Sequence, residues 1–211
     1  MRHHRFDKLL ILDLDETLVY ASEHALGRPA DFAVGPYHVY KRPHLDQFLE
    51  TCFEWFTIGL WTSSSTDYAT AVVNQLTSPL TRLAFLWTRK RCTRRIIPAE
   101  PGEGLWIKDL KKIKNRGYSL GNVIVVDDSP EKHMRNYGNL VRVGEYRGQS
   151  EDDELPHLLG YLEVLGAVPN VRSVDKRRWR QRSPSQQLAA PSLIRQERLS
   201  PSEGTVDRRG H

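Results

Sequence analysis

Short apolar and β-branched runs alternate with stretches of helical periodicity along most of the chain. The apolar runs predict strands at residues 8–13, 56–61, 83–87, 122–127 and 140–143. Helices are predicted after Pro43, which suits a first-turn position, from Thr66, which follows serines able to cap a helix, and over 152–165. This order is typical of helices that cover a parallel sheet. We therefore predict an α/β domain with a doubly wound, mostly parallel sheet.

Two further segments complete the predicted organisation. Residues 31–42 alternate apolar and polar positions around Gly35-Pro36, which predicts a small β-hairpin flap. After Pro169 the periodicity stops and the chain becomes basic and rich in Pro and Ser. We predict one domain over residues 1–168 and a tail over 169–211, disordered beyond about residue 180.

Composition narrows the class of protein. A chain of 211 residues that is 39% hydrophobic has room for one domain with a sizeable core. Cys52 and Cys92 show neither a disulfide framework nor zinc-ligand spacing. Asp13 interrupts the first apolar run too early for a signal peptide or a membrane span. These features predict a soluble, cytoplasmic protein with no membrane partner.

The net charge of +5 is unevenly distributed. Residues 170–211 carry ten of the 31 Lys and Arg residues but only four of the 26 Asp and Glu residues. Inside the domain, the run RKRCTRR at 89–95 is either a solvated loop or a surface that contacts an anion. The candidate anion-binding residues are Arg89, Arg91, Arg94 and Arg95.

Polar clusters follow three of the predicted strands. Asp13 and Asp15 follow the first, Thr62 and three serines the second, and Asp127 with Asp128 the fourth. The carboxyl ends of parallel strands meet at one edge of a sheet, where such folds bind ligands. Four carboxylates gathered there repel one another unless a cation lies among them. Oxygen ligands without His or Cys favour Mg²⁺, and Mg²⁺ in turn favours a phosphate substrate.

The spacing of the first two acids suggests a division of labour. In an extended chain Asp13 and Asp15 lie on the same face, so that one carboxylate could attack phosphorus while the other handles protons. The alternative is that these acids only stabilise the N-terminus of a helix.

The motifs resemble those of the haloacid dehalogenase superfamily of phosphotransferases. Residues 13–17, DLDET, are similar to its first signature; Thr62 in LWTSSS, Lys108 in LWIKDL and DDSP at 127–130 are similar to the second, third and fourth. Together with KRPH at 41–44, they resemble the branch of RNA polymerase II C-terminal-domain phosphatases and NLI-interacting-factor-like proteins. The resemblance implies a Rossmann-like fold without a large cap domain.

The resemblance also implies roles for individual residues. Asp13 would be the nucleophile and Asp15 the general acid and then base. Mg²⁺ would be held by Asp13, the backbone carbonyl of Asp15, and Asp128, where close relatives often have Asn. Thr62 would donate to a phosphoryl oxygen and Lys108 would neutralise its charge. The expected supporting residues are Asp127, which would orient Lys108, Thr17 in the acid/base loop, and Ser63 beside Thr62.

The substrate is less closely defined by the sequence. The resemblance implies a Mg²⁺-dependent phosphomonoesterase that acts through an aspartyl-phosphate on phosphoserine or phosphothreonine in a protein. Nucleotides or nucleic-acid ends are the alternative, bound through the Arg-rich insertion or the basic tail. A third hypothesis is a non-catalytic binding module, similar to a mitochondrial translocase subunit of this family. The presence of Asp13, Asp15, Lys108 and Asp128 argues against that hypothesis.

Overall fold

The fold is described from a computed structural model, for residues 4–76, 82–96 and 104–181. In chain order its strands and helices are β1 (Leu9–Leu12), β2 (Val19–Ser22), β3 (Phe32–Val34), β4 (Tyr37–Lys41), α1 (Leu45–Trp55), β5 (Thr57–Trp61), α2 (Thr66–Leu76), β6 (Phe85–Trp87), β7 (Thr93–Ile96), β8 (Gly104–Ile107), α3 (Lys111–Lys114), β9 (Val123–Asp127), β10 (Leu140–Arg142) and α4 (Glu154–Ala167). Short 3-10 turns connect several of them.

The central sheet has five parallel strands in the order β10-β9-β1-β5-β6. Every residue of β1 is buried, as expected for a strand paired on both sides and covered on both faces. Leu12 lies opposite Leu60 of β5 and Val126 of β9, so the three strands end at one level. The predicted α/β fold is confirmed, and each of the five predicted strands is present, although shorter than predicted.

Alternate residues of β1 enter two different apolar clusters. Leu10 and Leu12 pack with side chains of α1, α2 and α4. Leu9 and Ile11 pack on the opposite face, with Trp61 at the end of β5 among their neighbours. This alternation follows from the two-residue period of a strand. It fixes the register of β1 against its neighbouring strands, and so the level at which their polar ends meet.

The predicted flap is part of a larger unit. Strands β3 and β4 form the expected hairpin, with Gly35 at φ 56° in the turn, but β2 also pairs with β4 and completes a three-stranded sheet. The Arg-rich stretch is not a loop throughout, since β7 pairs antiparallel with β8 and carries Arg94 and Arg95.

The domain extends beyond the predicted boundary at residue 168. Val171 and Trp179 are buried in the main apolar cluster, and the Trp179 ring stacks on Tyr161 at 5.5 Å between centroids. The indole also donates to the carbonyl oxygen of Arg142 (2.6 Å), so Trp179 is not available to stack on a nucleic acid. Isolated apolar residues in a polar segment have no periodicity, which is why the sequence pattern missed them. Residues 182–211 of the predicted tail lie outside the described residues.

The burial of Trp179 leads to a stability prediction. Trp179→Ala should destabilise the domain by about 3–4 kcal/mol, because a large side chain is removed from a packed site together with its hydrogen bond. Urea unfolding followed by circular dichroism measures this change. The neighbouring exposed Arg178→Ala is the matched control and should change stability by less than about 0.5 kcal/mol. Equal effects of the two substitutions would contradict the extended domain boundary.

Within the described ranges, no helix has the length and apolar character needed to cross a bilayer.

Candidate active site

A cavity of about 340 Å³ opens at the carboxyl ends of β1 and β5. The segment after β1 supplies Asp13, Asp15 and Glu16 to its wall, and the segment after β5 supplies residues 62–65. Arg89 and Lys132 line it from the segments after β6 and β9. The polar clusters predicted to meet at this edge of the sheet therefore do meet there.

Asp13 is a buried carboxylate that faces the cavity. Its backbone N–H donates to the carbonyl oxygen of Val126 (3.0 Å), which holds the residue directly after β1. Its side chain is 2% exposed and forms ion pairs with Lys108 (Oδ1 to Nζ, 2.7 Å) and Lys132 (Oδ2 to Nζ, 3.7 Å). Burial, and then repulsion from Asp127, raises the pKa of Asp13 to about 7 in spite of the two lysines.

Asp127 is a buried carboxylate that holds Lys108 and His133 below the cavity. Its Oδ2 accepts from Lys108 Nζ at 2.6 Å and lies 2.8 Å from His133 Nε2. Burial opposes ionisation of this carboxyl, but Lys108 and His133 hold the pKa of Asp127 well below its usual range. Burial likewise opposes the charge of Lys108, and Asp127 and Asp13 raise its pKa nevertheless. The predicted contact between Asp127 and Lys108 is present in the structure.

Three carboxylates form a group that fits a divalent cation. One oxygen from each of Asp13, Asp127 and Asp128 lies within 4.8 Å of the others. Asp128 is oriented by the hydroxyls of Thr17 (3.1 Å) and Ser129 (2.8 Å). The donors are all hard oxygens, and a bound cation would offset the burial of the Asp13 charge and its repulsion from Asp127, which together raise the pKa of Asp13. This set therefore suits Mg²⁺ better than zinc.

The carboxylate of Asp15 lies apart from that group and is held by three hydroxyls. It accepts from Ser64 Oγ (2.6 Å), Tyr68 Oη (2.7 Å) and Thr62 Oγ1 (3.2 Å). Extended geometry does not explain how Asp13 and Asp15 share one cavity. The strand ends at Leu12, and Glu16 adopts a left-handed φ of 58° as the chain turns towards β2.

Two of the predicted supporting residues, Thr17 and Ser63, differ in the contacts that they make. Thr17 donates to Asp128 Oδ1 and accepts from the Asp128 N–H, so it links the acid/base loop to the fourth motif. Ser63 is predicted to support Thr62, but among the described residues it makes no side-chain hydrogen bond to the Thr62 hydroxyl. That role belongs to Ser64, whose N–H donates to Thr62 Oγ1 (3.0 Å). Neighbouring serines cannot be distinguished by sequence alone, because the difference depends on the direction of the turn.

Of the four candidate arginines, only Arg89 lines this cavity among the described residues. Its Nε donates to the carbonyl oxygen of Ser63 (2.6 Å). The Arg91 guanidinium lies over the Trp87 ring at 5.3 Å, and Arg95 Nη1 approaches Met134 Sδ at 2.7 Å. Arg91, Arg94 and Arg95 are exposed and do not line the cavity.

Several residues of the site were not predicted from the sequence. They are Glu16, Ser64, Tyr68, Lys132 and His133. Glu16 and Ser64 adjoin predicted residues, and Lys132 and His133 follow DDSP closely. Their proximity to the motifs could therefore have predicted them as site residues. Tyr68 lies three residues after the serine run and approaches Asp15 from the first turn of α2. Burial, and then repulsion from Asp15 and Asp128, raises the pKa of Glu16 to about 7.

Comparison with known families agrees with this geometry. Residues 8–172 match the NLI interacting factor-like phosphatase family. The chain is 30% identical over 185 residues to CTD nuclear envelope phosphatase 1 of Xenopus tropicalis, covering 81% of this chain and 72% of the relative. It is 29% identical over 176 residues to nuclear envelope morphology protein 1 of Schizosaccharomyces pombe, covering 79% of this chain and 35% of that protein.

The fold also resembles a solved structure. That structure is the fission yeast RNA polymerase II CTD phosphatase Fcp1 bound to beryllium fluoride, with a TM-score of 0.51 and 20% sequence identity. The match covers 70% of this chain and 44% of that one. At this identity the likeness concerns the fold alone.

The relatives correct one expectation from the sequence. A cytoplasmic protein was predicted, and that prediction is wrong, because the relatives from frog, zebrafish and fission yeast are named for the nuclear envelope. The family match spans all four sequence motifs and the whole central sheet. The chain is therefore a phosphatase of the NLI-interacting-factor-like family, within the haloacid dehalogenase superfamily and its CTD-phosphatase branch.

Proposed function

We propose that this phosphatase is Mg²⁺-dependent, forms an aspartyl-phosphate on Asp13, and removes phosphate from phosphoserine or phosphothreonine in proteins. One observation carries the proposal. Asp13 is 2% exposed, yet it lines the cavity, is paired with Lys108 and lies in a group with two further carboxylates. Such an arrangement orients a nucleophile and supplies charge where a phosphoryl group would react.

In the first step an Asp13 oxygen attacks phosphorus and the ester P–O bond breaks. The leaving oxygen takes the proton of Asp15, whose carboxyl is oriented by Thr62, Ser64 and Tyr68. Lys108 holds Asp13 Oδ1 and so fixes the direction of the other oxygen. Thr62 lines the cavity, and its hydroxyl is free to turn from Asp15 to a phosphoryl oxygen.

In the second step a water molecule attacks the phosphorus of the aspartyl-phosphate. Asp15, now ionised, removes a proton from this water, inorganic phosphate leaves and the Asp13 carboxylate is regenerated. Dividing the displacement into two steps lets one acid/base residue serve both halves of the reaction. The hydroxyl contacts keep the Asp15 carboxyl in one place for these two transfers.

The cation would be held by Asp13, Asp128 and the carbonyl oxygen of Asp15. Asp127 belongs to the same group of carboxylates, but Lys108, His133 and the Ser129 N–H already occupy its oxygens. When bound, Mg²⁺ supplies positive charge that screens the nucleophile from the anionic substrate. Thr17 and Ser129 keep Asp128 oriented towards this position.

A protein substrate is supported by the relatives and by the shape of the site. Relatives are named as CTD phosphatases, and the structural neighbour is an RNA polymerase II CTD phosphatase. The cavity opens at the end of the sheet, where a phosphorylated side chain can enter while its polypeptide stays outside. Arg89 at the rim can meet the phosphate or acidic residues next to it.

The metal requirement is tested with p-nitrophenyl phosphate. We expect hydrolysis with Mg²⁺, loss of activity with EDTA, and recovery when excess Mg²⁺ is restored. Zn²⁺ at equal concentration should support less turnover, because the proposed ligands are hard oxygens. Full activity after exhaustive chelation would contradict the metal assignment, while absence of hydrolysis under all conditions would support the non-catalytic binding module.

The substrate class is tested with a panel at equal concentration. Phosphoserine and phosphothreonine peptides should have higher kcat/KM than 3′- and 5′-phosphorylated oligonucleotides. The reverse order would favour phosphate removal from nucleic-acid ends. The control is Asp13→Asn on every substrate, which shows that the same site hydrolyses each of them.

A further inference from the structure

Two lysines contact Asp13, but they occupy different positions in the site. Lys108 Nζ lies below the cavity, 2.7 Å from Asp13 Oδ1 and 2.6 Å from Asp127 Oδ2. Its side chain is 1% exposed, and it is not among the residues that line the cavity. Lys132 Nζ lies 3.7 Å from the other oxygen of Asp13, and its side chain does line the cavity. Lys132 is therefore the lysine exposed to a phosphate that enters the cavity, while Lys108 approaches Asp13 from below.

The backbone holds Lys132 firmly at this position. The residue belongs to the 3-10 turn Pro130–His133, and its N–H donates to the carbonyl oxygen of Ser129 (3.2 Å). Its own carbonyl accepts from the N–H of Lys108 (2.9 Å). The next residue, His133, is buried against Asp127. Since both sides of the turn are anchored, the Lys132 side chain is directed into the cavity.

The charges around Lys132 keep it cationic. Burial opposes the charge, but Asp13, Asp127, Asp128 and Glu16 together raise the pKa of Lys132. The 3.7 Å distance to Asp13 is an ion pair and is longer than a strong charge-assisted hydrogen bond. Lys108, in contrast, is shared between two carboxylates at close range. Lys132 is therefore the lysine at Asp13 with the freedom to bind another anion.

We propose that the ammonium group of Lys132 binds a non-bridging oxygen of the substrate phosphate, and of the phosphate product, beside Asp13. This inference rests on the proposed function, because it assumes that the phosphoryl group binds in this cavity. Lys132 transfers no proton and forms no covalent bond. It offsets the repulsion between the substrate dianion and the carboxylates, and Lys108 acts as the fixed counter-ion that orients the nucleophile. No role for Lys132 was predicted from the sequence, and this contact adds to the one that the family resemblance implies for Lys108.

The test measures binding of inorganic phosphate by isothermal titration calorimetry in saturating Mg²⁺. Lys132→Met should raise the Kd by about 10-fold or more, as expected for loss of a charge-assisted hydrogen bond. Lys132→Arg should restore most of the affinity, because it keeps the charge and the donors. The matched control is Lys114→Met, which removes the same charge from the exposed face of α3 and should leave the Kd unchanged.

Two further measurements separate phosphate binding from a purely structural role. Mg²⁺ affinity of Lys132→Met should equal or exceed that of the wild type, because a cation next to Asp13 is removed. Circular dichroism identifies the folded variants, and Lys132→Gln serves as a second neutral variant if Lys132→Met does not fold. A phosphate Kd within twofold of wild type in a folded neutral variant would overturn the inference, as would a wild-type protein that binds no phosphate.

Calorimetry also keeps this inference distinct from the proposed function, because it needs no turnover. A wild type that binds phosphate through Lys132 but hydrolyses nothing would contradict the proposed function alone. A wild type that hydrolyses phosphopeptides, with neutral Lys132 variants that bind phosphate normally, would contradict only the role of Lys132.

Discussion

Asp13→Asn is expected to lower turnover of p-nitrophenyl phosphate by at least about 10⁴-fold. The amide has nearly the same size as the carboxyl group, but it is not a nucleophile towards phosphorus. Steady-state rates at saturating Mg²⁺ measure the loss. The control is Asp46→Asn, which removes an exposed acid that is paired with Lys41 away from the cavity and should leave turnover unchanged.

The same variant should fold normally. Burial and the neighbouring Asp127 disfavour the charge of Asp13, and a neutral amide removes that repulsion. Lys108 keeps its second partner, Asp127, at 2.6 Å. Thermal unfolding should therefore give a Tm close to that of the wild type. Wild-type activity in a folded Asp13→Asn protein would refute the assignment of the nucleophile.

Lys108→Met is expected to affect both stability and activity. Its removal leaves Asp13 and Asp127 buried without the cation that contacts both of them. Loss of one partner from a buried ion pair costs about 3–5 kcal/mol, since the remaining charges are largely removed from water. Urea unfolding measures this cost, and Lys114→Met provides the exposed control.

A double variant separates the two effects. Adding Asp127→Asn to Lys108→Met removes one of the orphaned charges, so part of the stability should return. Activity should not return, because the orientation of Asp13 by Lys108 is still lost. If the double variant were as unstable as the sum of the two single changes, the ion pair would not be what stabilises this part of the site.

The sequence was sufficient to predict the central sheet and the polar residues at its edge. Asp13, Thr62 and Asp127 each follow an apolar run, and parallel strands bring such ends together regardless of loop details. These predictions depended on local pattern and on a general rule of topology. Lys108 follows β8, and its contact with Asp127 was implied by the family resemblance.

Other features depend on contacts between distant parts of the chain. Asp15 lies in the segment between the end of β1 and the turn at Glu16, and its partners Ser64 and Tyr68 come from the segment after β5 and from α2. Trp179 enters the core through a segment without periodicity. The direction of the Lys132 side chain is set by hydrogen bonds of its turn. None of these contacts leaves a periodic signal in the sequence.

The central claim is that Asp13 carries the phosphoryl group during turnover. The direct measurement uses rapid quench with a ³²P-labelled aryl phosphate, followed by peptide mapping, in wild type and in Asp15→Asn. A good leaving group needs little help from an acid, so Asp15→Asn should form the phosphoenzyme and hydrolyse it slowly. We predict hydroxylamine-labile label on the peptide that contains Asp13, accumulating in Asp15→Asn. Turnover without label on Asp13, or label on another residue, would contradict the account.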